Sequence, residues 1–508
     1  MISKVTGLGI FGLNSFCVAV ETDVSIAMPR FDIVGLPDAA VKESKERVRS
    51  AIKNSGKSFP YGAITVNLAP ADRKKEGVYL DLPIAIGIIK ANSDLLPMPL
   101  EDYVLLGELS LDGKLRGVHG IMPLLISAKE QGRKKFIIPK ENEGEASYID
   151  GIDVYACSTL NQAIGHLSGA APIEKTELKG YAAFAEHGEY AEDLKYVKGQ
   201  AVAKRALEVA VSGGHNVLFV GSPGSGKTML ARCIPSIMPD MSFEEALETT
   251  KIHSVAGILK AEEGIVTRRP FFTPHHTASS VAVIGGGASS KPGIISLAHN
   301  GVLYMDELPE YPRSTLEALR QPLEDRVVTV SRARMSVDYP ASFMLVASMN
   351  PCPCGNYGSK TAECRCTASQ IAKYKAKLSG PLLDRIDLQI EVDGVDYDSL
   401  VAGGEEESSA AVRERVNRTR AIQRERFAED GIRTNSEMKE RHLEKYCALS
   451  PECEKIMRSS FVSLNLSARG RSRVLKVART IADMELSPDI KPKHLLEAVG
   501  YRSFDIKS

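Results

Sequence analysis

The sequence has no tryptophan, no net charge and no long apolar run. The missing tryptophan carries no functional reading. The charge balance does: Lys+Arg and Asp+Glu both number 64, so bulk electrostatics call for neither a nucleic acid nor a membrane, and any DNA contact has to come from basic groups gathered locally. The longest apolar stretches, such as LPIAIGII at 82–89, fall far short of the ~20 residues that span a bilayer. The opening MISKVTGLGIFGLNSFCVAVETDVS lacks a basic head, an unbroken apolar stretch and a small-residue cleavage site, so it is not read as a secretory signal and a cytoplasmic location is expected. Cysteine is sparse, nine in 508 residues, and five of these (Cys17, Cys157, Cys233, Cys447, Cys453) are scattered as reduced cytosolic thiols would be.

With 43% hydrophobic and 25% charged residues, the composition is that of a globular protein, and the length predicts roughly two to four domains. The first ~165 residues alternate strand-like and helix-like stretches, an α/β pattern. AITVNLAP (63–70) and KKFIIPKEN (134–142) read as strands, and AAVKESKERVRSAIKNSG (39–56) as an amphipathic helix closed by Gly56. Periodicity weakens over 169–190, which places a linker there between an N-terminal domain (1–168) and a second α/β pattern (191–395). From 396 to 508 the chain reads as mostly helical.

GSPGSGKT at 221–228 satisfies G-x-x-x-x-G-K-[ST], with the apolar NVLFV before it and the helical MLARCI after it. Gly221, Ser222, Pro223, Gly224, Ser225 and Gly226 would wrap backbone N–H groups around phosphates. Lys227 would neutralise the β/γ-phosphates, and the Thr228 hydroxyl would ligate Mg²⁺. In NGVLYMDELPEYP (300–312) an apolar strand ends in Asp306 and Glu307, where the ligand of an open α/β sheet lies. Asp306 is expected to hold Mg²⁺ through water and Glu307 to polarise the attacking water. A third apolar strand, SFMLVASMN (342–350), ends in Asn350, placed to position water against a γ-phosphate. Together these specify ATP and Mg²⁺.

Asn350 leads straight into NPCPCGNYGSKTAECRC, four cysteines within fifteen residues as C-x-C-x9-C-x-C. Cys352, Cys354, Cys364 and Cys366 suit a tetrahedral Zn²⁺ held in the loop 351–367; a disulfide pair, free thiols and an iron–sulfur cluster are the alternatives.

The glycine-rich loop, Asp306–Glu307 and Asn350 follow the order of the AAA+ ATPases. PFFTPHHTASSVAVIGGGASSKPGIISLAHNGVLYMDELPE (270–310) resembles their magnesium-chelatase-like subgroup, and within it the bacterial YifB/ComM family, over nearly the whole chain. That resemblance implies an AAA+ core, a helical lid of the magnesium-chelatase C-terminal type, and an N-terminal Lon-protease-like α+β domain of the ribosomal-S5 type. It also implies a ring, a hexamer, that drives branch migration of DNA junctions with recombination proteins as partners. By the same resemblance Arg385 in SGPLLDRIDLQI matches the arginine finger and Arg469 in SARGRSRVLKVART the second sensor arginine, with Arg473 a turn away as a rival. An ion pair of Arg385 with Asp384 or Asp387 is the plain alternative. The Lon-like pieces read Val78-Tyr79-Leu80-Asp81 and Ile121-Met122-Pro123 where a protease needs serine and lysine, so peptidase activity is not expected.

For single-stranded or branched DNA the sequence offers several candidates. His275, His276, the glycines 285–287 and Lys291, within a long insertion at 251–300, would form either a pore loop or a structural hairpin. Lys373 with YKAKL (374–378) is a basic cluster near a ring interior, and Arg73, Lys74 and Lys75 are a patch on the N-terminal domain. Arg413, Arg415, Arg418, Arg420, Arg424 and Arg426 spread over several helix faces, which favours a solvated or subunit-contacting helix over a DNA contact. The competing function is a chelatase-like or chaperone-type ATPase that remodels a protein partner.

Overall fold

The computed structural model describes residues 2–93, 95–96, 100–181, 190–260, 263–287, 290–332, 335–358, 362–394 and 406–502. Two compact units form, one from 1–186, 243–267 and 333–339, the other from 187–242, 268–332 and 340–508. Of the linker expected at 169–190, residues 182–189 lie outside the described residues, as does the expected boundary at 395/396.

The first unit is built on a mixed seven-stranded sheet. Ile2–Phe11 and Asn14–Ser25 form an antiparallel hairpin at its centre, turned at Gly12 with φ 61°. Ala63–Ala69 pairs antiparallel with Asn14–Ser25 and carries Arg30–Val34 parallel at one edge. On the other side Tyr103–Leu105, Lys135–Pro139 and Asp153–Cys157 continue in parallel. Helix Ala39–Asn54 starts where Asp38 caps the N–H of Val41 at 2.8 Å and stops before Gly56 in the left-handed region. Helix Asp81–Asn92 buries ten of its residues, apolar almost all round, which makes it a core helix.

Where a protease would need a nucleophile, Tyr79 is partly buried against the core, its phenol pushed up to about 12 by desolvation first and then by Glu76 and Asp38. Asp81 is fully buried and takes Arg47 Nε at 2.7 Å, the Leu109 N–H at 3.2 Å and the Ser44 hydroxyl. Met122 is also buried. These are core positions, and the carboxylate has its charge and lone pairs satisfied. The basic patch expected at 73–75 does not form. Lys75 is buried with its ammonium on the Pro70 carbonyl, Lys74 pairs with Glu76 at 2.8 Å, and Arg73 lies over the Phe16 ring.

Helix Phe243–Ala256, whose last turns fall at the start of the insertion read at 251–300, belongs to the first unit. Ser254 Oγ donates to the buried Glu145 at 2.5 Å and accepts the Gly120 N–H at 3.1 Å. Burial pushes the Glu145 carboxyl up, against hydrogen bonds from Ser254, Met122 and Asn142.

The second unit holds a five-stranded parallel sheet in the order Phe271–Phe272, Val302–Met305, Met344–Met349, Val217–Val220, Leu388–Glu391. The three central strands are buried at every position, as continuous apolar runs covered on both faces should be. Register pairs Val220 with Met349 and Met305 with Ala347, so Gly221, Asp306 and Asn350 emerge together at the carboxyl edge. Helices Ala201–Gly213 and Lys227–Ile237 pack on this sheet, and residues 406–502 are helical throughout their main elements, from Ser409–Arg426 to Pro492–Gly500. This is the mixed α/β fold with a helical C-terminal region that the sequence predicts.

Candidate nucleotide site and cysteine cluster

The phosphate loop leaves the strand Val217–Val220 and enters helix Lys227–Ile237 through Gly224 and Gly226, both at positive φ (79° and 89°) that only glycine takes without strain. Gly221 is required for a different reason: a Cβ there would lie 2.3 Å from the Val392 carbonyl. Lys227 Nζ donates to the carbonyls of Gly221 (2.7 Å) and Ser222 (2.8 Å) and to Asn350 Oδ1 (3.3 Å). Its pKa is lowered by desolvation, with Asp306 and Glu307 pulling the other way. The ammonium is thus pre-positioned inside the loop, touching Asn350 at the tip of the strand Met344–Met349.

Thr228 Oγ1 donates to Asp306 Oδ2 at 3.2 Å, so the hydroxyl and carboxylate expected to hold Mg²⁺ are already side by side. Two residues that the sequence does not single out complete this corner. The Ser348 hydroxyl donates to Asp306 Oδ1, and the buried Tyr304 hydroxyl reaches Thr228 Oγ1 and Ser348 Oγ at 3.3 Å each. Burial pushes the Tyr304 phenol up to about 12 and keeps it a neutral donor. Period-2 patterning marks Tyr304 and Ser348 only as buried strand positions; their meeting depends on the two strands being neighbours.

Glu307 follows at φ 52°, a left-handed backbone uncommon outside glycine and suggestive of a functional constraint. Its side chain is about half exposed and faces His276, Nδ1 to Oε2 3.8 Å. His275 stacks on His276 at 4.2 Å between ring centroids. The two histidines expected in a pore loop therefore stand beside the carboxylate pair. Gly285–Gly286 and Lys291–Pro292 do pair as a short antiparallel hairpin, with Lys291 exposed. Lys373 and Lys377 line a cavity of about 430 Å³ with Glu307, Asn350 and Tyr374. That basic cluster faces the site rather than standing apart from it, and Lys377 pairs with Glu310 at 2.9 Å.

Arg385 and Arg469 meet elsewhere. Both pair with Glu324, Arg469 at 3.8 Å, and both line a cavity of about 940 Å³ whose walls include none of residues 221–228. Arg385 also donates to the Pro381 carbonyl at 2.8 Å, while its Nε is buried with no hydrogen-bond partner among the described residues. Asp387 is committed to Arg473 at 2.6 Å and to the Asn216 N–H at 2.9 Å. Arg473 is thereby engaged in a buried pair, whereas Arg469, 62% exposed, has the long pair with Glu324. Arg415, Arg420 and Arg426 of helix Ser409–Arg426 turn inward to Glu208, the Val211 carbonyl and Asp483.

The four cysteine sulfurs lie within 4.8 Å of one another. Sγ separations are 3.4 Å (Cys352–Cys354), 3.7 Å (Cys352–Cys364) and 3.7 Å (Cys354–Cys364). A disulfide needs about 2.05 Å. Four sulfurs about 2.3 Å from one tetrahedral zinc stand about 3.8 Å apart; the three separations among Cys352, Cys354 and Cys364 come close to that, and Cys366 lies within 4.8 Å of the others. Cys354 is drawn down to about 6 by the N–H groups of Asn356 and Arg365 and by the Cys352 side chain. The donor set and its geometry fit a thiophilic metal.

Three family models match the chain, all of the magnesium chelatase subunit ChlI: its central region at 193–400, a further ChlI region at 20–142 and its C-terminal region at 406–502. The chain is 43% identical to the protein YifB of Escherichia coli over 99% of its own length and 97% of that protein's. The chain belongs to the YifB/ComM family of magnesium-chelatase-like AAA+ ATPases. Against the competence protein ComM of Haemophilus influenzae, identity is again 43%, with 97% and 96% covered. Lon protease 2 of Bacillus subtilis is 29% identical over 34% of each chain. The corner formed by Lys227, Thr228, Asp306, Glu307 and Asn350 lies within the central matched region, 193–400. Among the described residues, no helix is long and apolar enough to cross a membrane.

Proposed function

We propose that the protein is a ring-forming, ATP-driven DNA motor, acting by helicase or branch-migration activity on recombination intermediates in transformation or repair. The observation that carries the reading is the separation of its catalytic groups. Lys227, Thr228, Asp306, Glu307 and Asn350 share one corner, while Arg385 and Arg469 share a cavity that the phosphate loop does not line. Such a chain completes its site by giving the two arginines to the ATP of a neighbouring copy, which implies a closed ring, a hexamer by family likeness. Lys227 would take the β/γ-phosphates, with Mg²⁺ held by Thr228 and, through water, Asp306. Glu307 would orient the attacking water with Asn350 opposite it, and the arginines would stabilise charge on the transferred phosphoryl group. Cys352, Cys354, Cys364 and Cys366 hold Zn²⁺ in a structural role.

The DNA assignment follows ComM, whose name places it in competence. The N-terminal unit, with a protease-like position emptied of nucleophile and base, serves as an assembly or DNA-binding module. The test is the ATPase rate with and without single-stranded and forked DNA, together with unwinding of a labelled four-way junction. Stimulation and junction movement are expected. Hydrolysis indifferent to DNA, with junctions left intact, would overturn the DNA reading in favour of a protein-remodelling ATPase.

A further inference from the structure

The segment that leads into the cysteine cluster touches the phosphate loop at three points. The Gly221 N–H donates to the Met349 carbonyl at 3.2 Å, Lys227 Nζ reaches Asn350 Oδ1 at 3.3 Å, and Gly355 packs flat on Pro223. The last contact is tight: a Cβ on Gly355 would lie 2.5 Å from Pro223 Cδ and 2.8 Å from Cγ. Gly355 is shaped by the cluster itself. Its N–H closes a turn onto the Cys352 carbonyl at 3.0 Å, and the Tyr357 N–H donates to Cys352 Sγ at 3.3 Å.

The second pair of sulfurs is anchored differently. Cys364 and Cys366 run directly into Thr367, whose capping box with Gln370 starts the helix Ala368–Lys375. That helix carries Tyr374, whose hydroxyl hydrogen-bonds the backbone of Asn350. A metal held by all four sulfurs therefore clamps a turn lying on the phosphate loop to a helix that fixes the sensor residue. Cys352 is fully buried, but Cys354 is exposed, and Gly355 and Gly358 both sit at positive φ in a sequence with no other large apolar anchor than Tyr357, itself exposed.

We propose that the tetrathiolate metal loop is a strut for the phosphate loop, so that metal occupancy sets nucleotide affinity. This rests on the zinc reading above, and the two fail separately. Without metal the loop samples other shapes; if the phosphate loop keeps its binding shape about a tenth of the time, apparent affinity falls about tenfold.

The full-length protein, purified reduced, is assayed for zinc by elemental analysis. It is then stripped with a zinc-selective chelator at constant Mg²⁺ and titrated with a fluorescent ADP analogue. Bound zinc near one per chain is expected, with about tenfold weaker nucleotide binding on stripping, restored by Zn²⁺ and not by added Mg²⁺. Gly355→Ala is expected to keep its zinc yet bind nucleotide more weakly, since the new methyl group displaces Pro223. No zinc in the reduced protein would overturn the tetrathiolate reading. Zinc present, with affinity unchanged by both stripping and Gly355→Ala, would overturn the strut alone. Affinity lost on stripping but not recovered with zinc would mark unfolding and equally overturn it.

Discussion

Glu307 is where backbone and chemistry meet most directly. The strand Val302–Met305 ends in the buried core, Asp306 is held by Thr228, Ser348 and the Glu307 N–H, and the chain then enters φ 52° to present an exposed carboxylate. A group aimed in this way at bulk-accessible space, beside the Thr228–Asp306 pair proposed to hold Mg²⁺, suits a base for water. Glu307→Gln keeps the shape and the hydrogen-bonding reach but removes the base. It should leave nucleotide affinity within about twofold and lower kcat by at least about 100-fold, the usual contribution of a positioned base. Equilibrium binding and single-turnover hydrolysis on the same preparation read both quantities, and hydrolysis at the normal rate would remove Glu307 from its role. The placement of Lys227, Thr228, Asp306 and Glu307 at one edge of the sheet was legible because each follows a strand within a few residues. Ser348 and Tyr304 were not, because a buried serine or tyrosine in an apolar strand has no local signature of its partner.

Between elements, the ion pair of Asp387 and Arg473 joins the start of strand Leu388–Glu391 to helix Ala468–Met484. Desolvation raises the Asp387 carboxyl, but Arg473 and His215 outweigh it and hold the group well below the usual carboxylate range. A depressed folded-state pKa contributes stability above the unfolded-state value of about 3.9 and loses it as the pH falls toward the folded-state value. The urea stability gap between the wild type and Asp387→Asn should therefore be constant from about pH 8 to pH 7, above the range where the coupled His215 titrates, and narrow below about pH 4 as Asp387 itself protonates. Breaking the pair from the other side, Arg473→Met, leaves a buried carboxylate unpaired and should cost about 3–5 kcal/mol at pH 7. A loss within about 0.5 kcal/mol, the size of a surface effect, would show that the pair is not structural. The sequence matched Arg469 to the second sensor arginine with Arg473, one helical turn away, as a rival. Which face of the helix meets Asp387 is decided by packing.

At the scale of the whole molecule, the arrangement predicts complementation between two defective proteins. Arg385→Ala keeps Lys227 and Glu307 intact, and Glu307→Gln keeps Arg385 intact, so each alone should be inactive. Mixed before assembly, they form interfaces where an Arg385→Ala chain's carboxylate meets a Glu307→Gln chain's arginine, and hydrolysis should return to a measurable fraction of the wild-type rate. No recovery in a mixture shown by light scattering to co-assemble would contradict donation between copies.

The domain pattern was only partly legible at this scale. The N-terminal α/β alternation, the nucleotide core and the helical C-terminal region could each be read, because periodicity and flanking turns are local properties. The allegiance of helix Phe243–Ala256 was not, because its bond from Ser254 to Glu145 spans 109 residues. The supposed basic patch at 73–75 failed for the same reason: burial of Lys75 is a tertiary fact.

The sequence by itself determined the phosphate loop, the Asp306–Glu307 pair and the four-cysteine loop. Each is a short run in which residue type and spacing set the chemistry before any distant contact forms. Tertiary structure alone decided the rest. The strand order brings Ser348 and Tyr304 to the Mg²⁺ corner, Glu324 gathers Arg385 and Arg469 from 61 and 145 residues away along the chain, and Gly355 lies against Pro223. Those meetings depend on which strands and helices become neighbours, and short-range spacing carries no information about that.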